Sequence, residues 1–128
     1  MILLSKEKIL KNLKKDDLYH LDDIKIMETT RSTNEDAKYF LKNEKKRKGA
    51  FFAEQQTLGK GRNKRNWISP FGKNIYFSFA WKTNSNISEL DGLSLATAVV
   101  VAENLQSMVN KRIEIKWPND LMIKNKKC

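Results

Sequence analysis

Between Asp91 and Asn110 the chain is apolar around most of a helical circumference, with Leu93, Leu95, Ala96, Val99, Val100, Leu105 and Val109 spread over nearly every side. A helix of that kind belongs in an interior, so the pattern predicts a central buried helix capped by Asp91. Short strand-like runs surround it. Ile24 and Ile26 alternate with Lys25 in a strand reading up to Thr29, and Ala50-Phe51-Phe52-Ala53-Glu54 reads as a buried strand. Asn74 to Trp81 is aromatic and β-branched, Ile113 and Ile115 alternate with charges, and Leu121-Met122-Ile123 runs into a turn at Lys124-Asn125-Lys126. The expected fold class is α+β: a mixed, mostly antiparallel sheet with packed helices.

Two more helices carry their own start signals. Ser5 fits an N-cap, with Leu4 and Ile9 as a hydrophobic staple and an end near Lys14. Ser32-Thr33-Asn34-Glu35 reads as a capping box opening a second helix, with Ala37, Phe40 and Leu41 on its apolar side and Lys45-Lys46-Arg47-Lys48-Gly49 closing it.

The formal net charge of +10 favours anionic partners such as nucleotides, nucleic acid or an acidic protein. The single cysteine, Cys128, excludes an intrachain disulfide and fits a reducing compartment. No run reaches transmembrane length, and the apolar stretch at Met1-Ile2-Leu3-Leu4 is too short for a signal peptide. A cytoplasmic protein with no membrane association is expected.

Two clusters carry chemistry. The first is Gln56, Gly59-Lys60-Gly61-Arg62, Lys64-Arg65, Trp67 and Ser69-Pro70-Phe71-Gly72. From Gln56 to Asn66 apolar residues almost vanish, leaving a long polar loop of the sort that usually carries function. A basic loop relaxed by glycine can turn its N–H groups and cations toward a phosphate. The second cluster is Lys116-Trp117-Pro118-Asn119-Asp120, which puts a cation, a ring, a proline, an amide and a carboxylate in sequence. Together they point to a small molecule with an apolar part and a phosphate.

Ser32-Thr33-Asn34, Ala53-Glu54-Gln55-Gln56, Gly59-Lys60-Gly61-Arg62, Trp67, Ser69-Pro70-Phe71-Gly72, Asn74 and Lys116-Trp117-Pro118-Asn119-Asp120-Leu121 occur in an order and spacing similar to the catalytic domain of biotin protein ligases. The chain resembles that family over nearly its whole length. The resemblance implies a fold like the class II aminoacyl-tRNA synthetase core. It also implies an ATP-dependent reaction, in which biotin becomes biotinyl-5′-AMP and then passes to a lysine of a biotin carboxyl carrier protein. Residues 1–22 would be a helical lead-in, similar to the stretch after the DNA-binding domain in ligases that double as repressors, and residues 23–128 the core. No DNA-binding domain is expected in this chain, and a homodimer is possible for a longer parent. Family members continue with more strands, an adenylate loop and a small β-domain, so a partial, inactive fragment is expected. Lys60 replaces the arginine usual in the family, a point charge in place of a planar fork.

Roles follow from the resemblance, each beside a plainer one. Arg62 and Lys127 would be catalytic, holding the biotin carboxylate and the α-phosphate; the alternatives are a solvated basic loop and a surface lysine. Ser32, Thr33, Asn34, Gln56, Lys60, Gly61 and Trp67 would join them around biotin, although Ser32 and Thr33 also suit simple helix capping. Arg65, Trp67, Asn119 and Asp120 would face the nucleotide, with Asp120 a possible Mg²⁺ ligand; Pro118-Asn119-Asp120 is equally good turn chemistry. Trp117 is expected in the core beside Pro118. Two other readings stay open: a basic nucleic-acid-binding module, and a lipoate ligase-like acyltransferase.

Overall fold

The computed structural model describes residues 3–16, 20–61 and 65–127. They form two compact units, Met1–Thr83 and Asn84–Cys128, with a three-stranded sheet in each.

The first unit holds α1 (Lys6–Asn12), β1 (Asp23–Thr30), α2 (Thr33–Asn43), β2 (Lys48–Gln56) and β3 (Tyr76–Trp81). The strand order is β1-β2-β3. β1 runs parallel to β2, from Asp23 opposite Gly49 to Thr30 opposite Gln56, and β3 runs antiparallel to β2, with Lys48 opposite Trp81 and Ala53 opposite Tyr76. A parallel pair needs a crossover, and α2 supplies it. Phe40 of α2 and Phe51 of β2 are the large fully buried side chains, meeting edge to face at 5.2 Å between ring centroids. Such a pair adds about 0.5–1.5 kcal/mol beyond area burial. Ala37 and Ala80 complete this core, with Met27 and Leu41 packed against it.

β3 alternates as a half-covered strand should. Tyr76, Ser78 and Ala80 are buried, whereas Phe77 and Phe79 are half-exposed on the other face. There Phe77 stacks on Phe52 at 4.6 Å and Phe79 lies 5.7 Å from Trp81.

Ser5 caps α1 as expected, accepting from the Lys8 N–H at 3.4 Å, and the helix ends at Asn12. The expected capping box on α2 does not form around Ser32. That residue occupies the N-cap position in extended backbone, but its side chain makes no cap hydrogen bond. Lys48-Gly49 do not close α2 either. They open β2, because the Arg47 and Lys48 N–H groups donate to Asp22 Oδ2 at 2.6 and 2.8 Å and fix the chain entering the sheet.

The second unit holds a 3₁₀ turn at Ile87–Leu90, α3 (Leu93–Gln106), β4 (Ile113–Lys116), β5 (Asp120–Ile123) and β6 (Lys126–Lys127). Its sheet is antiparallel throughout, in the order β4-β5-β6. Lys124 and Asn125 take positive φ, which the tight β5–β6 turn requires. α3 is shorter than expected at both ends. Asp91 finishes the 3₁₀ turn, and Gly92 becomes the N-cap in a left-handed conformation (φ 80°) that glycine adopts without strain. At the other end the Gln106 side chain folds the chain back: it donates to the Val109 and Lys111 carbonyls and accepts from the Ile113 N–H at 2.9 Å.

The expectation that α3 is a central buried helix is corrected. Ala98 and Ala102 are buried, whereas Leu93, Leu95, Val99, Val100 and Val101 stand 38–57% exposed. One small sheet can cover one stripe of a helix, and residues four apart form that stripe.

Candidate functional site

Where β1 and β2 end and α2 begins, polar side chains converge on Gln56. Its Oε1 accepts from the Thr33 N–H at 2.9 Å and the Thr33 hydroxyl at 3.1 Å, and its Nε2 donates to Ser69 Oγ at 3.1 Å. Thr33 Oγ1 lies 2.8 Å from Ser78 Oγ, and the Ser78 hydroxyl donates to Asn34 Oδ1 at 2.7 Å. Ser32, Thr33, Ser69 and Ser78 are buried, Gln56 is half-buried, and Asn34 is exposed. The parallel register puts the last residue of β1, Thr30, beside Gln56, and the chain then turns into α2, so Thr33 comes under the Gln56 amide. In effect Gln56, distant in sequence, caps the first turn that Ser32 leaves uncapped.

This cluster is rich in acceptors. Two hydroxyl protons, on Thr33 and Ser78, serve three contacts. The exposed Asn34 amide can present oxygen or NH₂ to the same place, and so sets which group faces outward.

The segment after Gln56 folds back on itself. Gln56 bridges Ser69 and Lys60 bridges Asn66. The Trp67 N–H donates to the Gly59 carbonyl at 3.1 Å, and the Gly61 N–H to the Arg65 carbonyl at 2.8 Å. A Cβ on Gly59 would come 2.9 Å from the Trp67 carbonyl oxygen, so close approach of two backbone segments demands glycine there. Trp67 keeps 48% of its surface exposed at the end of this turn. Arg65 is exposed as well. Lys60 points to Glu35 on the first turn of α2, 2.9 Å away, with Arg31 3.7 Å from the same carboxylate. The Lys60 hydrogen bond holds the Glu35 carboxyl below the ordinary carboxylate range. Arg62, assigned a catalytic role from sequence, lies outside the described residues.

In the second unit, Trp117-Pro118-Asn119 forms the turn between β4 and β5, closed by the Lys116–Asp120 pair. The Trp117–Pro118 peptide is cis. Trp117 is 81% exposed, which corrects the expected core position: a three-residue turn projects its first side chain off the sheet instead of under it. Lys127 Nζ sits 2.7 Å from Asp120 Oδ1, bringing together two residues that sequence alone had assigned to different groups of the ligand. Among the described residues no three of His, Cys, Asp and Glu cluster to hold a metal.

Two members of the first cluster were missed from sequence. Ser69 stands inside the Ser69-Pro70-Phe71-Gly72 motif, where nothing local marks it for this cluster. Ser78 carried one legible signal, a hydroxyl at an inward position of a strand whose inward neighbours are Tyr76 and Ala80.

Residues 26–128 match the model of the biotin/lipoate A/B protein ligase family. The chain belongs to this family. Both the Gln56 cluster and the Lys116–Asp120 turn fall inside the matched stretch of the ligase family. The bifunctional ligase/repressor BirA of Escherichia coli is 41% identical over 78 residues, 61% of this chain and 24% of that relative. The protein of the same name from Bacillus spizizenii is 35% identical over 75 residues, 59% of this chain and 23% of its own length. The matched part thus spans about a quarter of these curated relatives. Among solved structures, the biotin protein ligase from Aquifex aeolicus in complex with biotin and ATP is similar with a TM-score of 0.65 and 28% identity, over 83% of this chain and 44% of that one. The Leishmania major biotin protein ligase in complex with biotinyl-5-AMP shares the fold, with a TM-score of 0.63 at 24% identity over 83% of this chain and 49% of that one. The mixed α+β class expected from sequence agrees with these neighbours. No helix among the described residues is long and apolar enough to cross a membrane.

Proposed function

We propose that this chain carries part of the site at which a biotin protein ligase activates biotin for attachment to protein. The carboxylate of biotin attacks the α-phosphate of ATP, pyrophosphate leaves, and biotinyl-5′-AMP remains; a lysine amine of a carrier protein then takes the biotinyl group and AMP leaves. The observation that carries this reading is the convergence of Thr33, Asn34, Gln56 and Ser78, with Ser69 behind Gln56, at the end of β2. The biotin ureido ring offers two N–H donors and one carbonyl, and a cluster of hydroxyl and amide oxygens with one adaptable amide suits that pattern. The Aquifex aeolicus neighbour, solved with biotin and ATP, favours biotin over lipoate as the acyl group.

In this reading Ser32, Thr33, Asn34, Gln56 and Trp67 surround biotin, with Lys60 and Gly61 in the same turn. Arg62 and Lys127 meet the carboxylate and the α-phosphate, where negative charge grows in the transition state. For Lys127 to do so it leaves Asp120. Arg65, Asn119 and Asp120 attend the nucleotide. Mg²⁺ enters with the ATP phosphates, and Asp120, once Lys127 has left it, would be the carboxylate that meets it. Residues 23–128 form the ligase core and 1–22 a lead-in. A cytoplasmic location goes with an ATP substrate and the lone Cys128.

The test is isothermal titration with biotin, followed by pyrophosphate exchange with biotin and ATP. Biotin binding that Gln56→Ala weakens roughly ten- to hundredfold supports the assignment. Tight binding of lipoate in place of biotin overturns it.

A further inference from the structure

At the opposite end of the first sheet, β1 and β2 begin and β3 ends. There Asp22, Lys45, Lys46, Arg47, Lys48 and Lys82 line an open cleft of about 720 Å³, with His20 at its edge. β1 spans eight residues, so this end lies roughly 25 Å from Gln56 along the strands.

The cations here are differently engaged. Lys46 is held 3.1 Å from Asp23 and 3.8 Å from Glu44. Asp22 is occupied by the Arg47 and Lys48 N–H groups, and Lys82 Nζ donates to the Glu44 main-chain carbonyl at 3.3 Å. Among the described residues no acid lies within ion-pair distance of the Lys45, Arg47, Lys48 or Lys82 side chain. Lys45, Arg47 and Lys82 thus stand on one concave surface outside any ion pair, and Lys48 shares only the charge of Asp22 with Lys46.

Among the described residues the lining carries, apart from the His20 imidazole, no aromatic or aliphatic side chain to read a base, a sugar or an acyl chain. It also lacks the apolar centre that protein interfaces build, and it is rich in the lysine they avoid. What it offers is repeated positive charge along a groove, which suits repeated negative charge along a chain. The formal charge of +10 would draw such a polyanion in from a distance.

We propose that the Lys45–Arg47–Lys48–Lys82 cleft binds the phosphate backbone of single-stranded nucleic acid, independent of base sequence. The inference does not depend on the ligase reading, because it uses none of the residues assigned to biotin or ATP.

The experiment is fluorescence anisotropy of the full chain with a labelled oligothymidylate of about 20 nucleotides, at salt concentrations from about 50 to 200 mM. Binding in the range of about 10⁻⁶–10⁻⁴ M is expected, with a salt slope of roughly −2 to −3 from three to four phosphates. The double variant Lys45→Glu/Arg47→Glu should bind at least about tenfold more weakly and flatten the slope by about 1.4. Lys111→Glu/Arg112→Glu changes net charge equally and should leave affinity within about twofold. Where circular dichroism shows the first variant misfolded, Lys45→Gln/Arg47→Gln replaces it, with the same direction of change expected. Equal loss in both double variants, absence of binding at low salt, or competition by poly-glutamate as strong as by unlabelled oligonucleotide would each overturn the proposal.

Discussion

The Gln56 side chain holds the first turn of the helix that begins at Thr33, taking both the backbone N–H and the hydroxyl of that one residue on a single oxygen. Twenty-three positions separate them in sequence, and the parallel β1–β2 register brings them together. Gln56→Ala should therefore destabilise the fold as well as weaken biotin binding. It strands the N–H and hydroxyl of a buried threonine, at a cost of about 1–3 kcal/mol. Chemical denaturation of wild type and variant measures this loss. An unchanged midpoint would show that α2 does not rely on Gln56.

Ser78→Val separates binding from folding at the same cluster. Valine brings the β-branched shape that strands favour, with one heavy atom more than serine, and removes the hydroxyl between Thr33 and Asn34. Titration with biotin should show a loss of roughly five- to tenfold, in line with one neutral hydrogen bond worth about 1 kcal/mol. Affinity equal to wild type would exclude Ser78 from the ligand network.

Gly59→Ala should disturb the turn before Trp67 more than Gly61→Ala does. The new methyl at 59 meets the Trp67 carbonyl at 2.9 Å, and backbone cannot swing aside; at 61 the nearest atom is the Arg65 carbonyl at 3.2 Å. Overpacking of this kind costs about 1–3 kcal/mol. Thermal melts with and without biotin would show the larger drop, and the larger loss of ligand stabilisation, for the residue 59 variant. The reverse order would contradict the described turn.

Stability should fall on acidification below about pH 4 and stay level from about pH 5 to 10. Backbone donation from Arg47 and Lys48 lowers the Asp22 carboxyl, and Lys60 lowers Glu35. For Asp23 burial acts upward, but the Lys46 hydrogen bond and the charges of Lys46 and Lys25 outweigh it and the net direction is down. A carboxyl depressed in the folded state contributes stability above its unfolded value, and that contribution is lost as pH falls through the folded value. Lys46 is raised by its hydrogen bond to Asp23, so its share is present at neutral pH and lost only above the ordinary lysine range. Thermal melts across pH check the window, and Asp22→Asn should flatten the acid limb. An acid limb of wild-type steepness in that variant would remove Asp22 from the account.

Local order was legible from the residues themselves. Ser5, the alternation at Ile24 and Ile26, the aromatic run of β3 and the apolar length of α3 each act over a few residues, and each produced the element expected. The motifs Ser32-Thr33-Asn34 and Gln56 stand out in the sequence as well, and the fold brings Thr33 and Gln56 together. What the sequence could not decide was set by partners far along the chain. Ser32 carries every local mark of a capping residue, yet Gln56 bonds the first turn, because the register of two parallel strands outweighs a local side chain. Lys45–Gly49 reads as a helix end by charge, yet Asp22 captures two of its N–H groups and Lys48-Gly49 begin a strand. α3 is apolar nearly all round, yet its burial depends on what packs on each face, and that is a property of the assembled tertiary structure. Trp117, an apolar ring in a recognised motif, is lifted into solvent by a three-residue turn. Periodicity and caps are local interactions written in neighbouring residues; burial and hydrogen-bond choice are competitions that only the folded chain can settle.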